Sequence, residues 1–305
     1  MIKNFIKQTI KNYKNKKIFM IGNSHILNIR PKYEAIRKLN DLDYKIFSQN
    51  GEDGIIDYFL HSLGIENPKF VEIGIGDYSE CNSRFFYERT SSKGLVIDCI
   101  KDLKDRVSKN VNLWKGDLKI VNKEINSNNI IKILKEESFL EELDFFSLDI
   151  DGTDYWILEK MPNNFSKIAV IEYNSVFGPE FKVTIPNQEK FNRNEYHYSN
   201  LCFGASLRAI IDIMEIKNFK FIGTNLTRCN AFFVQNDYVG LTNIKLPDQN
   251  DLFYHTNSNI RESRNKEGNL NYLSGSERIK NIFECEVFDL NENKIDKIQN
   301  LFKDN

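Results

Sequence analysis

The sequence predicts an α/β fold: a doubly wound, mostly parallel sheet that finishes in an antiparallel pair. Three observations predict it. Four short apolar runs, at 70–75, 94–99, 144–150 and 167–173, show little alternation, as strands buried on both faces do. The stretches between them are long enough to hold crossover helices. Two further runs, at 219–223 and 231–234, are separated by a short connection that suits a hairpin. The composition can fill such a core, because 41% of the 305 residues are hydrophobic and 12% aromatic.

Taken in order, residues 1–45 read as a basic extension. Residues 1–33 carry Lys3, Lys7, Lys11, Lys14, Lys16, Lys17, Arg30 and Lys32, and the first acidic residue is Glu34. Ile2, Phe5, Ile6 and Ile10 fall close to helical spacing, so a short amphipathic helix opens the chain. It suits a foot on an anionic membrane or partner, or simply a solvated leader in a Lys-rich protein. Residues 17–25 then read as a short strand and a turn. Its Ser24-His25 pair has no third group beside it, which argues against a hydrolase nucleophile. A central domain is expected over 46–240. It begins with one helical face, Ile55, Ile56, Phe59, Leu60 and Leu63. It places crossover helices at 128–135 and 153–160 and a further helix at 203–214 before the hairpin. Residues 241–305 read as a polar extension, with a mobile loop at 255–269 and a final short helix at 295–302.

Charge and cysteine use exclude several classes. The net charge of -1 gives no support to a nucleic-acid binder. The 31 Lys and 38 Asn follow an AT-rich codon bias, expected of a bacterial genome, so single Lys and Asn residues carry little information. Cys81, Cys99, Cys202, Cys229 and Cys285 are widely spaced without a C-x-x-C, which argues against zinc or a disulfide framework and for a reducing cytoplasm. No apolar run reaches the roughly 18 residues of a membrane helix, and no signal-peptide core stands at the start.

Four motifs sit at predicted strand ends, where open α/β sheets bind ligands. In Phe70-Val-Glu-Ile-Gly-Ile-Gly-Asp77, Gly74 and Gly76 let a ligand approach the backbone, and Glu72 can accept from a ligand ammonium. Ser79 stands where a dinucleotide fold has its third glycine. Asp98, ending Gly94-Leu-Val-Ile-Asp98, suits the two hydroxyls of a ribose. Asp117 follows a glycine that can border the adenine. In Leu148-Asp-Ile-Asp-Gly-Thr-Asp-Tyr-Trp156, Asp149, Asp151 and Asp154 crowd together and need a cation or a shared proton. In Val170-Ile-Glu-Tyr-Asn174, Glu172 and Asn174 offer oxygen ligands, so Asp151, Glu172 and Asn174, with Asp149, can form a site for magnesium or another divalent cation. A hydrogen-bonded site without metal explains the same residues. His197, in Glu195-Tyr-His-Tyr198, is the histidine best suited to general-base work.

Phe47-Ser-Gln-Asn-Gly-Glu-Asp-Gly54, Phe70-Val-Glu-Ile-Gly-Ile-Gly76, Glu80-Cys-Asn-Ser83, Leu148-Asp-Ile-Asp-Gly-Thr-Asp-Tyr-Trp156, Ile171-Glu-Tyr-Asn174 and Phe203-Gly-Ala-Ser-Leu207 occur in this order. In this the chain resembles the FkbM-type class I S-adenosylmethionine-dependent methyltransferases, bacterial proteins often associated with sugar and surface-polysaccharide (capsule) genes. The resemblance covers about residues 46–240. It implies a Rossmann-like seven-stranded sheet of six parallel strands and an antiparallel hairpin partner. It also implies that Glu72, Gly74, Gly76 and Asp98 hold S-adenosyl-L-methionine. The fourth-strand motif is longer than the family's usual acid–Gly pair, so acceptor and metal need do not carry over.

The expected activity is methyl transfer to a hydroxyl of a carbohydrate or surface-polysaccharide precursor. His197 or Asp151 would take the proton, with Asp149 beside them, and Asp117, Asp149, Asn82, Glu52 and Gln49 would complete the pocket. A nicotinamide-dependent oxidoreductase and a non-catalytic S-adenosylmethionine-binding module are the rivals. The expected partner is a small-molecule or glycan acceptor.

Overall fold

A computed structural model describes residues 2–302, with side chains from residue 6 onward, so the Ile2 and Phe5 part of the predicted apolar face lies outside it. The chain opens with α1 (Ile2–Ile29), one unbroken helix. The strand expected at 17–25 is therefore absent. Ile18, Phe19, Met20 and Ile21 make an apolar run too short to distinguish strand from helix, and in α1 they point to different sides.

The central part follows as α2 (Glu52–Ser62), β1 (Lys69–Ile73), α3 (Arg84–Arg89), β2 (Lys93–Asp98), α4 (Leu103–Ser108), β3 (Asp117–Asn122), α5 (Ile130–Glu137), β4 (Leu143–Leu148), α6 (Asp154–Lys160) and β5 (Ser166–Glu172). After β6 (Val183–Thr184) and α7 (Arg193–Tyr196) come α8 (Leu207–Ile216), β7 (Phe219–Thr224) and β8 (Asn230–Gln235). Seven strands form one sheet in the order β3-β2-β1-β4-β5-β8-β7. β8 runs antiparallel to both β5 and β7, and the remaining pairs are parallel. This is the doubly wound sheet with an antiparallel hairpin strand that the sequence predicts.

Both faces are buried. Val71, Ile73, Leu95, Ile97, Phe146, Leu148 and Ile171 pack under α5, α6 and α8. Their alternating neighbours Phe70, Val96, Phe145, Ile168 and Val170 pack under α2, α3 and α4. Two-sided burial is why these strands read as continuous apolar runs. The edge strand β3 is half-exposed, lacks such a run, and was not among the predicted strands.

The tail is built differently from the expected polar extension. It contains α9 (Phe253–Thr256), α10 (Ser276–Asn281), β9 (Glu286–Asp289), β10 (Lys294–Lys297) and α11 (Ile298–Leu301). β9 joins β10 and β6 in a second, three-stranded sheet, β10-β9-β6. Val183, Leu201, Ile282, Val287 and Ile298 form a separate core there. Trp156 on α6 ties this lobe to the main sheet, donating from Nε1 to the Ile185 carbonyl at 2.7 Å. Nor is 255–269 an untethered loop. Ser263 is fully buried, with its hydroxyl 2.6 Å from Asn271 Oδ1 and accepting from Leu273 N at 2.8 Å. Among the described residues no helix is long and apolar enough to cross a membrane.

Candidate functional site

The C-terminal ends of β1, β2 and β4 open onto a cavity of about 470 Å³. The glycine turn after β1 forms its floor. Gly74 has φ +87°, and a Cβ there would come within 1.5 Å of the Asp149 carbonyl oxygen. The glycine is needed because β4 leaves the sheet directly against it, not because a ligand does. Gly76 has φ +53°, and a Cβ there would meet nothing within 4 Å, so this is the glycine that keeps space open.

Asp98, at the end of β2, accepts from Gly76 N at 2.8 Å and from Ile100 N at 3.0 Å. These bonds aim its carboxylate at the cavity. Glu72 is 4% exposed and already engaged, accepting from Asn82 N at 2.8 Å, Ser83 N at 2.9 Å and the Ser83 hydroxyl. Burial pushes its pKa up, against those bonds. Glu72 thus latches the loop carrying Asn82 over the cavity, and Asn82 Nδ2 donates to Ser147 Oγ at 3.0 Å.

The sheet register pairs Leu148 with Ile171, so Asp149 and Glu172 emerge side by side. Carboxylate oxygens of Asp149, Asp151 and Glu172 lie within 4.8 Å of one another. Burial, then the neighbouring carboxylates, push Asp149 up to about 8 and Glu172 well above its ordinary value. Two carboxyl groups so placed favour holding one proton between them over both ionising. Asp151, half-exposed, receives Arg193 Nη1 at 2.5 Å. Asp154 is buried with its pKa at about 6, raised by burial against bonds from Ile150 N and Gly152 N, and it shapes the turn.

Several predicted residues stand elsewhere. Asp117 opens β3 and pairs in register with Lys93, at the opposite end of the sheet from Asp98, so it cannot border a ligand held there. Glu52 is fully buried, accepting from Asn225 Nδ2 and Asn230 Nδ2 at 2.7 Å each and from Asn50 N at 2.9 Å. It fastens the start of α2 to the β7–β8 hairpin. Asn174 spends its amide on the Leu201 and Phe203 carbonyls and its Oδ1 on Val176 N, which removes it from any ligand set. His197 does not line the cavity. Its Nδ1 meets Ser199 Oγ at 2.7 Å, and burial followed by Lys266 lowers its pKa. Gln49, Glu72, Gly74, Gly76, Asn82, Asp98, Asp149 and Asp151 do line it.

The sequence reading missed Glu124, Glu189, Phe191 and Asn230, which complete the walls. Glu124 comes from one loop and Glu189 and Phe191 from another far away in sequence, and Asn230 is recognisable only through its pairing with Glu172. Eight lining residues are acidic (Glu72, Asp77, Glu80, Asp98, Glu124, Asp149, Asp151 and Glu189) and one, Lys123, is basic. Asp77, Glu80 and Asp151 are ion-paired with Lys11, Lys45 and Arg193, and burial raises Glu72 and Asp149, so the excess negative charge rests chiefly on Asp98, Glu124 and Glu189. The cavity therefore suits a cationic ligand rich in hydroxyls and repels phosphates.

No protein-family model and no curated protein matches the chain. Among solved structures it is similar to the pyocyanin biosynthetic protein PhzM, at 12% identity over 56% of this chain and 51% of that one, with a TM-score of 0.31. It is also similar to PKMT2 from Rickettsia typhi, solved in complex with AdoHcy, at 12% identity over 59% of this chain and 53% of that one, with a TM-score of 0.34. The chain thus spans about half the length of each. Likeness at this level carries no weight for function.

Proposed function

We propose that the chain is an S-adenosylmethionine-dependent methyltransferase whose acceptor is a hydroxyl of a carbohydrate or surface-polysaccharide precursor. The observation that carries this reading is the acidic lining of the cavity beside the glycine turn. A nicotinamide dinucleotide would bring a pyrophosphate against a lining in which acids still outnumber cations once the ion pairs are counted. S-adenosylmethionine brings a sulfonium, an ammonium and a ribose diol, all of which such a wall favours. Asp98 would hold the ribose hydroxyls, Gly76 gives the room, and the loop latched by Glu72 would close over the amino-acid end.

When bound, the cofactor supplies an electrophilic methyl group. The chain's residues would then align the acceptor and take its proton. Asp98 and the Glu72-latched loop would hold the cofactor, Asp151 and Phe191 would orient the acceptor hydroxyl, and its proton would pass to Asp149, with Glu172 beside it. Asp149 suits the task better than His197 because it lines the cavity and His197 does not; Glu172 is not on the lining but lies against Asp149. Phe191, whose ring packs on Gly152, stands beside Asp151 and Glu189 on the cavity wall. A ring next to hydrogen-bond-accepting carboxylates fits a sugar face and its hydroxyls. The resemblance to FkbM-type enzymes favours the same acceptor.

A divalent ion on Asp149, Asp151 and Glu172 would also lower a hydroxyl pKa. The cluster is nonetheless balanced without one: Arg193 neutralises Asp151, and a shared proton neutralises much of the other pair. Turnover is therefore expected to survive EDTA, and a strict magnesium requirement would overturn that part.

Calorimetric titration of the full chain with S-adenosylmethionine and with NADH tests the cofactor. Binding of the former alone, weakened at least about tenfold by Asp98→Asn, is the expected result. Release of S-adenosylhomocysteine with a sugar acceptor then separates an enzyme from a binding module. NADH binding without S-adenosylmethionine binding would reverse the assignment.

A further inference from the structure

We propose that α1 docks the protein flat on an anionic lipid surface. The helix has two faces with different partners. One faces the body. Gln8 Nε2 donates to the Lys109 carbonyl at 2.8 Å, the Phe19 ring meets Phe85 at 5.9 Å, Gly22 packs on Ile46, and Ile26 is fully buried. At about 100° per residue these positions cluster on one side. Ile6, Ile10, Tyr13, Met20, Ile21 and Leu27 fall within about 120° of each other on the opposite side. All six are exposed, Ile21 to 70%. The arc that the body leaves uncovered thus carries six exposed apolar side chains along about 30 Å of helix, interspersed with Thr9, Lys17, Ser24 and Asn28.

Charge selects the occupant. Residues 1–33 hold eight of the 42 basic residues and none of the 43 acidic ones, so this stretch carries +8 and the rest of the chain −9. On the helix, Lys7 and Lys14 flank the apolar stripe on one side and Lys16 on the other. Lys17 lies within it, its ammonium 4.7 Å from the Tyr13 ring centroid. A second copy of α1 would set like charges against each other. An anionic bilayer accepts the apolar stripe and attracts its lysine borders, while it repels the acidic body. The 109–115 loop abuts the body-facing side of α1, with the Lys115 ammonium 5.3 Å from the Phe19 ring centroid. That loop carries Trp114, which is 82% exposed, and an exposed indole suits the headgroup level of a membrane.

Co-sedimentation of the full chain with vesicles tests this. Binding is expected to equimolar phosphatidylcholine and phosphatidylglycerol and not to phosphatidylcholine alone, with release at raised salt. Trp114 emission should shift to the blue on binding, and Trp114→Phe should remove the shift, because Trp156, the other tryptophan, is buried. The double variants Ile10→Asp/Ile21→Asp and Lys7→Glu/Lys14→Glu should each weaken binding at least about tenfold. All four side chains are exposed, so thermal melting followed by circular dichroism should not change. Equal binding to neutral vesicles, or none to anionic ones, would overturn the proposal. So would a dimer in sedimentation equilibrium that Ile10→Asp/Ile21→Asp converts to a monomer with vesicle binding unchanged, which would make the face a self-association surface.

Discussion

Two glycines two residues apart separate folding from binding. Gly74→Ala sets a methyl against the Asp149 carbonyl at a positive φ, which the sheet cannot relieve without moving β4. It should cost at least about 3 kcal/mol in urea denaturation. Gly76→Ala meets open space and carries only the left-handed backbone cost of about 1 kcal/mol. Its methyl projects toward the cavity, so ligand affinity should fall more than stability does, which calorimetry beside the same denaturation series would show. The carboxyl pair makes a pH prediction. Asp149 is raised from 3.8 to about 8, so the folded state holds a proton that the unfolded chain releases earlier. Stability from this group is full below about pH 4 and is lost as pH rises toward about 8. Asp149→Asn should therefore flatten the fall of Tm with rising pH across that window. A variant whose Tm falls as steeply as the wild type would contradict the shared proton.

At the scale of elements, Asp57 on α2 joins three helices. It receives Arg30 from just beyond α1 at 2.7 Å, Arg89 from the end of α3, and the Tyr33 hydroxyl at 2.9 Å. Asp57 is 2% exposed and both guanidinium groups are largely covered. Asp57→Asn leaves two cations without their counter-charge and should cost about 3 kcal/mol in urea denaturation. Because Arg30 anchors α1, the same variant should loosen the membrane-facing helix first, seen as faster amide exchange near residue 30 than in β4.

For the whole molecule, charge is divided between a basic helix and an acidic body whose ligand cavity is itself acidic. The two meet at the cavity rim, where Lys11 Nζ lies 4.0 Å from Asp77. Raised salt should therefore weaken both vesicle binding and the binding of a cationic ligand, since both rest on attraction between unlike charges. Titrations of each across a salt series check this. Tighter binding of S-adenosylmethionine at high salt would contradict the acidic-cavity account.

The sequence by itself determined the central strands, the hairpin and the glycine turn. It also placed Glu72, Asp98, Asp149 and Glu172 near one another, because a parallel strand buried on both faces writes an apolar run and its C-terminal end marks the ligand edge. Only the tertiary structure decided what those residues do. Glu72 and Glu52 look alike as buried acids, yet one latches a cavity loop and the other fastens a hairpin. Asn174 and Asp117 left the site for reasons of contact and strand direction that no local spacing encodes. The half-exposed β3, the C-terminal sheet and the long α1 escaped the reading because their apolar residues are sparse or point several ways. Burial against distant segments, which gives a residue its role, is a property of the folded chain and not of its local sequence.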